Sequence, residues 1–313
     1  MKKGANFFVA NTPFQIYVIG LITKSYFQDS EWDNIIFATC PLKKTAGTYP
    51  IRHGMMVAKD LLRMKRIVKE KLEGNVQFFI PHLCNLISNY FYNVAREKNK
   101  PLNVFYEGLA QFYYPDVRIK NKSLLERKLI SSIFGLGYEA RTEFFPKELT
   151  EISVFYTPIP ELCIDCKQKI IFEFPRKLVV ENNNVLFLSS NKMDERVISE
   201  ALSLLKQIYR TDSVLYFKPH YELPNETIKL VTQHLQKDGF NFVLLDKYRN
   251  IEQYYEELSF SRVLSQEFSS ALVNIKLVYQ DQVVVKVMKK PKGVGEKIYL
   301  YYGFGKDLEK MSF

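Results

Sequence analysis

The feature that most constrains the fold is a regular alternation between short apolar runs and longer segments with helical periodicity. In the first half of the chain, apolar runs of strand length stand at Phe7–Ala10, Ile35–Ala38, Val76–Ile80 and Leu102–Tyr106. Longer segments such as residues 55–72, with apolar residues at helical spacing, separate them. This alternation predicts a parallel sheet with helices on both faces.

The second half of the chain repeats the alternation, with strands predicted at residues 185–188, 214–217, 242–245, 262–264 and 283–285. Between the halves, residues 141–172 contain several prolines and few regular patterns, which indicates a crossing between domains. We therefore predict an α/β protein of two Rossmann-like domains, residues 1–155 and 156–313. The ligand is expected in the groove where the strand ends of the two domains face each other.

The charge balance indicates an anionic partner. The 313 residues carry a formal net charge of +10, which suits a negatively charged substrate, a lipid surface or nucleic acid. Part of the excess is grouped, at Lys59, Arg63 and Arg66 and again at Lys286–Lys292. These groups indicate either a solvated face or a docking surface for acidic lipid or glycan. No apolar run approaches the ~20 residues that span a bilayer, so we expect a cytoplasmic protein, with peripheral contact to an anionic membrane as an option.

The cysteines do not suggest a disulfide framework. Four cysteines in 313 residues are too few for a secreted domain built on disulfides. Cys163 and Cys166 have C-x-x-C spacing, but Cys40 and Cys84 stand far apart, whereas a zinc knuckle needs a second close pair. Incidental thiols are the favoured interpretation, and a metal or redox role is the alternative.

Polar residues of catalytic type follow three predicted strands. They are the carboxylate of Glu107, the imidazole of His220 and the hydroxyl pair Ser269–Ser270. The carboxylate can accept a proton, the imidazole can bind and protonate a phosphate, and hydroxyls at a helix start can hold one. Each also has a plain structural interpretation, as a paired loop carboxylate, a histidine bonded to the backbone or a helix cap. His82 also follows a strand and is a rival to His220.

The opening strand leads into a helix at Asn11, Thr12 and Pro13, and a helix amino terminus in that place is a natural anion site. No glycine-rich fingerprint is present there, so a dinucleotide cofactor is not expected. The sequence contains neither an Asp-x-Asp motif nor a Walker loop. A donor with a single phosphate, such as a CMP-sugar, needs no metal to offset the charge of a diphosphate.

Four short motifs resemble, in their order, those of bacterial sialyltransferases, most closely glycosyltransferase family 52 with its lipooligosaccharide and capsule sialyltransferases. The motifs are Asn11-Thr12-Pro13-Phe14-Gln15, Tyr106-Glu107-Gly108, Lys218-Pro219-His220 and Ser269-Ser270. The family has an acid-acid-Gly motif, a His-Pro motif and a late Ser-Ser/Thr motif. Here Tyr106 stands in place of the first acid, and Tyr221 follows the histidine.

The resemblance implies a GT-B-like fold, CMP-N-acetylneuraminic acid as donor, a galactose-terminated glycan as acceptor, and inversion without metal or cofactor. It implies no nucleic-acid partner. Glu107 would take the proton from the acceptor hydroxyl, and His220 would bind the CMP phosphate and assist its departure. Asp116 and Glu139 are alternative bases. The resemblance further implies substrate contacts for Asn11, Thr12, Gln15, Gly108, Ser190, Asn191, Lys218, Ser269 and Ser270.

Two other functional classes stay open on the sequence. The first is a transferase of the same architecture that uses another nucleotide sugar, or a polysialyltransferase that makes a capsule. The second is a non-enzymatic basic protein that docks on anionic glycan or membrane. Nucleotide binding separates both classes of transferase from the docking protein, because a ligand stabilises only the fold that binds it.

Overall fold

The structure is a computed structural model, and it describes residues 4–40, 47–52, 56–108, 121–140, 144, 151–160, 162, 164–178, 182–255, 257–292 and 294–304. The chain divides into two compact units between Glu173 and Phe174. Each unit contains a parallel β-sheet and helices, so each is a Rossmann-like α/β unit. The α/β class predicted from the alternating pattern is confirmed.

The first unit is built on a seven-stranded sheet in which every recorded strand pair is parallel. Its strands are β1 (Gly4–Ala10), β2 (Trp32–Ala38), β3 (Thr48–Pro50), β4 (Val76–Ile80), β5 (Leu102–Phe105), β6 (Ile152–Thr157) and β7 (Gln168–Ile171). Their order is β3-β2-β1-β4-β5-β6-β7. The helices among the described residues of this unit are α1 (Pro13–Tyr26), α2 (Val57–Lys71), α3 (Leu86–Glu97) and α4 (Asn121–Phe134).

Aromatic pairs between neighbouring strands fix the centre of this sheet. Phe7 and Phe8 of β1 lie in register with Phe78 and Phe79 of β4. The rings stack at 5.5 Å for Phe7–Phe78 and at 4.3 Å for Phe8–Phe79. All four side chains are completely buried, and such cross-strand aromatic pairs stabilise a sheet beyond their burial. The short apolar runs of the sequence are therefore strands buried on both faces.

The first helix begins where the sequence predicts it. Thr12 is the N-cap, its hydroxyl accepts a hydrogen bond from the backbone N–H of Gln15 at 3.2 Å, and Pro13 is the first helical residue. Proline is favoured at this position because its missing N–H has no intrahelical partner there. The cap directs the first turn of α1 to the carboxyl end of β1.

The second unit has a five-stranded sheet with the order β10-β9-β8-β11-β12, again with parallel pairs. The strands are β8 (Val185–Leu188), β9 (Leu215–Lys218), β10 (Phe242–Leu244), β11 (Arg262–Glu267) and β12 (Val284–Lys289). The helices are α5 (Glu195–Ile208), α6 (Asn225–Lys237), α7 (Ser270–Tyr279) and α8 (Val294–Tyr301), and short 3₁₀ turns stand at Ile251–Tyr254 and Gln280–Gln282. A core that includes Phe187, Leu205 and Phe217 joins the sheet to its helices.

The segment between the halves differs from the sequence expectation. We interpreted residues 141–172 as an irregular crossing, but this segment contributes β6 and β7 to the first sheet. The apolar residues from Ile152 to Tyr156 pair with β5, and prolines flank the strand without interrupting it. The expected boundary after residue 155 falls inside β6, and the division lies instead at Glu173–Phe174.

Three local patterns predict structure that the protein does not have: a capping box at Ser123-x-x-Glu126, a helix cap at Asn225 and a loop over residues 41–54. Ser123 lies inside α4 (Asn121–Phe134), so the Ser-x-x-Glu pattern does not start that helix. Asn225 is the first residue of α6 rather than its cap, and Pro224 occupies the N-cap. The loop expected over residues 41–54 includes the short edge strand β3, where Pro50 is tolerated because an edge strand has one unpaired side.

Both sheets reverse their direction of winding at one point. In the first unit the chain builds β2 and β3 on one side of β1, then places β4 and β5 on the other. In the second unit β9 and β10 lie on one side of β8, and β11 and β12 on the other. The crevice at the carboxyl ends of the strands beside such a reversal is where open α/β sheets bind ligands.

Candidate functional site

The reversal point of the first unit gathers several predicted residues. Asn11 follows β1, His82 follows β4 and Glu107 follows β5, all at the carboxyl ends of neighbouring strands. Gln15 joins them from the first turn of α1. The motif from Asn11 to Gln15 and the motif around Glu107 are therefore brought together within one unit.

The carboxylate of Glu107 is the centre of this group. Its Oε2 atom accepts a hydrogen bond from Gln15 Nε2 at 2.6 Å. His82 Nε2 lies 3.6 Å from the same oxygen, and the side chains of His82 and Glu107 are 14% and 11% exposed. The two nitrogen atoms and the carboxylate form a nearly buried polar cluster at the end of the sheet.

Backbone amides fix the orientation of both neighbours of the carboxylate. Gln15 Oε1 accepts the N–H of Asn11 at 2.5 Å, so Nε2 is the end of the amide that faces Glu107. His82 Nδ1 accepts the N–H of Cys84 at 2.9 Å, so in the neutral ring the proton is on Nε2. Each side chain therefore presents an N–H group toward Glu107.

Burial shifts the protonation equilibria of the cluster. Loss of hydration raises the pKa of Glu107 to about 8, and the hydrogen bond from Gln15 opposes part of that rise. Burial lowers the pKa of His82 to about 3, and the positive charge of Arg127 lowers it further. At neutral pH, His82 is therefore uncharged, and Glu107 is a carboxyl group of unusually high basicity.

The backbone around Glu107 depends on its neighbours. Gly108 has a φ of 132°, which glycine adopts readily and other residues rarely do. Tyr106 is fully buried, and its ring meets that of Phe14 edge-on at 5.9 Å. The chain thus anchors Tyr106 in the core and turns sharply directly after the carboxylate.

A second group of polar residues lies at the reversal point of the second unit. The N–H of His220, which follows β9, donates to Ser189 Oγ at 3.0 Å, and Ser189 follows β8. The N–H of Ser190 donates to Gln266 Oε1 at 2.9 Å, and Gln266 belongs to β11. These bonds tie the carboxyl ends of three adjacent strands into one site.

The imidazole of His220 is oriented like that of His82. Its Nδ1 accepts the N–H of Glu222 at 3.2 Å, so Nε2 carries the proton in the neutral ring. Burial lowers the pKa of His220, and the positive charge of Lys218 contributes in the same direction. The ring therefore presents a neutral N–H donor rather than the protonated imidazole that would be needed to protonate a phosphate.

Three predicted substrate contacts have protein partners in the structure. The Lys218 ammonium is buried and donates to the carbonyl oxygens of Pro219 at 2.9 Å and Lys247 at 3.1 Å. Burial lowers its pKa to about 8. Asn191 Nδ2 donates to Glu222 Oε2 at 3.2 Å, and Ser190 Oγ donates to the carbonyl of Lys192 at 3.0 Å. These contacts hold the loops that follow β8 and β9.

The hydroxyl pair stands where the sequence predicts it, at the start of α7. Ser269 is the N-cap and its side chain makes no capping hydrogen bond, while Ser270 is the first helical residue. A plain capping role for Ser269 is therefore not seen. The first turn of a helix carries unpaired N–H groups, which suits an anion.

The remaining candidates fall outside these two groups. Asp116 and Cys163 are not among the described residues, and Glu139 is exposed with its backbone N–H bonded to Asn89 Oδ1. Cys40 and Cys84 are buried thiols, and Cys166 is partly buried. In the described part of the chain, no group of three or more histidine, cysteine or acidic side chains is arranged to hold a metal ion.

Sequence reasoning missed the partners within each group. His82 was noted only as a rival to His220, and Ser189 and Gln266 were not singled out. One signal was available: both histidines follow a proline directly after a strand, and in both the ring accepts the N–H two residues on. The repeated Pro-His turn marks both positions as oriented imidazoles.

No protein-family model matches the sequence, and no curated protein matches it. Solved structures do share its fold. The S. aureus MnaA–UDP co-structure has a TM-score of 0.51 at 10% identity and covers 100% of this chain and 88% of that chain. UDP-GlcNAc 2-epimerase from Neisseria meningitidis bound to UDP-GlcNAc has a TM-score of 0.50 at 10% identity, with 99% and 92% covered.

Another UDP-N-acetylglucosamine 2-epimerase has a TM-score of 0.53 at 10% identity and covers 100% of this chain and 89% of that chain. At this level of identity the similarity establishes the fold. The chain has a GT-B-like fold with two Rossmann-like domains. Within the described residues, no helix is both long and apolar enough to span a bilayer.

Proposed function

We propose that this protein is a glycosyltransferase that uses a nucleotide sugar and in which Glu107 is the general base. The observation that carries the proposal is the buried carboxylate at the reversal point of the first sheet, bonded to Gln15 at 2.6 Å. Its pKa of about 8 makes it a strong base for a carboxylate. A base with a pKa near the working pH is the most effective general catalyst.

The proposed step is an inverting substitution. The deprotonated Glu107 takes the proton of an acceptor hydroxyl as the oxygen attacks the anomeric carbon of the donor sugar. The bond from that carbon to the phosphate oxygen breaks, and the nucleotide leaves with the electron pair. Since the unliganded carboxyl group is protonated below about pH 8, transfer should accelerate as the pH rises toward that value.

The second unit supplies a suitable site for the leaving phosphate. In the neutral ring, His220 Nε2 carries a proton, and the hydrogen bonds to Ser189 and Glu222 hold the loop and the imidazole in place. Ser269 adds a hydroxyl at the start of α7. In the proposal the first unit therefore binds the acceptor and the second unit binds the donor. Positioning and hydrogen bonding to the phosphate supply most of the rate enhancement.

For the donor we propose CMP-N-acetylneuraminic acid, with a galactose-terminated surface glycan as acceptor. The support is the order of the four motifs and the single phosphate of such a donor. A sialyl centre already carries its own carboxylate, which stabilises the positive charge that develops on loss of CMP. One base and one phosphate site are then sufficient on the protein.

The first experiment measures thermal stability in the presence of CMP, UDP and GDP. A shift with CMP alone supports the sialyl donor, because a ligand that binds only the folded state stabilises it by an amount that grows with the logarithm of the ligand concentration divided by its Kd. Transfer is then measured from CMP-sialic acid to a panel of lactosides, with mass spectrometry of the products. Glu107→Gln should lose transfer and keep nucleotide binding, whereas Glu139→Gln, on an exposed carboxylate, is the matched control. Full transfer by Glu107→Gln would remove this residue as the base.

A second candidate is a GT-B enzyme that takes a UDP-sugar. The observation in its favour is that the structures with the same fold include MnaA in complex with UDP and a 2-epimerase bound to UDP-GlcNAc. This candidate predicts a thermal shift with UDP and none with CMP. Incubation with UDP-GlcNAc, with and without an acceptor, then distinguishes transfer from epimerisation.

We also propose that α4 contacts an anionic bilayer at its surface. Leu125, Leu129 and Ile133 form an exposed stripe on α4, with side chains 60–71% exposed. Lys128 is exposed on the same helix, and Lys65 of α2 donates to the carbonyl of Phe134 at 2.7 Å, which brings the basic helix α2 beside it. The fraction of protein that floats with phosphatidylglycerol vesicles should fall when the three residues of the stripe are replaced by serine. Equal flotation of the wild type and this variant would contradict the membrane proposal.

A further inference from the structure

We propose that Gln15 and His82 are positioning residues that direct two neutral N–H donors at one oxygen of the Glu107 carboxylate, Oε2. We call this pair the donor clamp. Its consequence for catalysis rests on the proposed function, but its effect on the carboxyl group does not. From the sequence, the family resemblance implies a substrate contact for Gln15. His82 is there a rival to His220.

The Gln15 arm of the donor clamp is defined by its own hydrogen bonds. Its side chain is buried, and both ends of the amide are engaged within the protein. Because Oε1 already accepts the Asn11 N–H at 2.5 Å, the group that reaches Glu107 Oε2 at 2.6 Å can only be Nε2. A flipped amide would place two donors together at Asn11 and two acceptors together at Glu107.

The His82 arm follows from the same argument. Its Nδ1 accepts the Cys84 N–H at 2.9 Å, so Nδ1 holds no proton and Nε2 faces Glu107 at 3.6 Å. The ring is also held edge-on against Phe144 at 5.1 Å. With one nitrogen committed to the backbone, His82 lacks a free basic nitrogen for an acceptor hydroxyl. The 3.6 Å separation is longer than a hydrogen bond, and it shortens in the proposal when the carboxylate ionises and attracts the Nε2–H group.

Both arms are neutral, and this matters for the chemistry. A lysine or arginine in contact with Glu107 would stabilise the ionised form strongly and make it a weak base. Neutral donors stabilise the carboxylate enough to fix its position while burial keeps its pKa high. Arg127 of α4 is the charged side chain that acts on His82; it binds the Cys84 carbonyl at 2.8 Å and so disfavours a second proton on the ring.

The test measures the ionisation of Glu107 directly in the unliganded full-length protein. Glutamate labelled with ¹³C at the carboxyl carbon is followed by NMR from pH 5 to 10, and the Glu107 signal is assigned by its loss in Glu107→Gln. Gln15→Met and His82→Phe remove one donor each with little change in size. Gln236→Met and His234→Phe in α6 are matched controls in the other unit.

Removal of a donor to the ionised form should raise the midpoint of Glu107 by about one pH unit, a tenfold change in its ionisation constant. The control variants should leave the midpoint unchanged. His82→Gln, which keeps an N–H donor, should return the midpoint toward that of the wild type. Unchanged midpoints in both Gln15→Met and His82→Phe would overturn the clamp. Gln15 and His82 lie on different elements, so each variant that folds tests the contribution of its own residue to the Glu107 midpoint.

Transfer activity gives a second readout that separates positioning from a structural role. Loss of a clamp donor should move the acidic limb of the kcat/KM profile upward by about one pH unit and leave the rate at high pH close to that of the wild type. A purely structural defect would lower the rate equally at every pH and would count against the proposal. If the protein transfers no sugar with any donor, the proposed function fails while the NMR result still decides the clamp.

Discussion

Replacement of Glu107 by glutamine is expected to change how stability depends on pH, because the carboxyl group is buried. Burial raises its pKa from 4.5 to about 8, so between these values the folded protein keeps a proton that the unfolded chain releases. The unfolded state then binds fewer protons than the folded state. The free energy of unfolding must therefore fall as the pH rises through this window.

The size of the effect follows from the shift. One pKa unit corresponds to about 1.36 kcal/mol, so this carboxyl group lowers stability by at most that amount for each pH unit inside the window. Over two units, from about pH 5.5 to about pH 7.5, the wild type should lose up to about 2.7 kcal/mol relative to Glu107→Gln. The side chain is 11% exposed, so solvent screens little of this cost.

Urea denaturation at half-unit pH steps provides the measurement. The stability of Glu107→Gln relative to the wild type should increase steadily with pH, and all other titrating groups cancel in the difference. Glu139→Gln, on an exposed residue, should follow the wild type. If the curves of wild type and Glu107→Gln run parallel from pH 5.5 to 7.5, the carboxyl group does not have a raised pKa and its assignment as a strong base fails.

Three further predictions, two of them with a control substitution, test other parts of the fold and the site. In denaturant titrations, Gly108→Ala should destabilise the protein by about 1–3 kcal/mol, because alanine disfavours a φ of 132°. The control Gly20→Ala lies in α1 and has open space for the added methyl group, so it should stabilise the protein by about 0.5–1 kcal/mol. Asp60→Asn should lower stability at neutral pH, because hydrogen bonds from arginine hold the pKa of the Asp60 carboxylate below its usual value. This stabilisation is present above the ordinary pKa, near 3.8, and is lost as the pH falls through the lower pKa of the folded state. Under the proposed function, His220→Ala should weaken CMP binding by about tenfold or more in calorimetry, and His234→Ala should not.

The local parts of the first site were predictable from the sequence. The start of α1 at Asn11-Thr12-Pro13 depends only on neighbouring residues, and this prediction is confirmed, with Thr12 as the cap. The approach of Glu107 to His82 depends on β4 lying between β1 and β5, which is a matter of strand order. Strand order cannot be derived from apolar periodicity, so the clamp was not predicted.

Lys218 shows a second limit of sequence reasoning. A cation just before a histidine at a strand end was expected to contact a nucleotide. In the structure the ammonium is buried, and one of its carbonyl partners belongs to Lys247, in the loop after β10. That loop comes close only because β10 pairs with β9. The charge of Lys218 is therefore used to hold loops, and the phosphate site in our proposal relies on neutral donors.

A tyrosine at position 106, directly before Glu107, is consistent with this arrangement. Tyr106 is fully buried and packs edge-on against Phe14, so an ionised carboxylate at that position would lose its hydration. It would also bring a second negative charge beside Glu107, which would raise the pKa of Glu107 further. With tyrosine there, Glu107 shares its pocket with the neutral groups of Gln15 and His82. One carboxylate held by neutral donors can then lose its proton near neutral pH, which an adjacent acid would oppose.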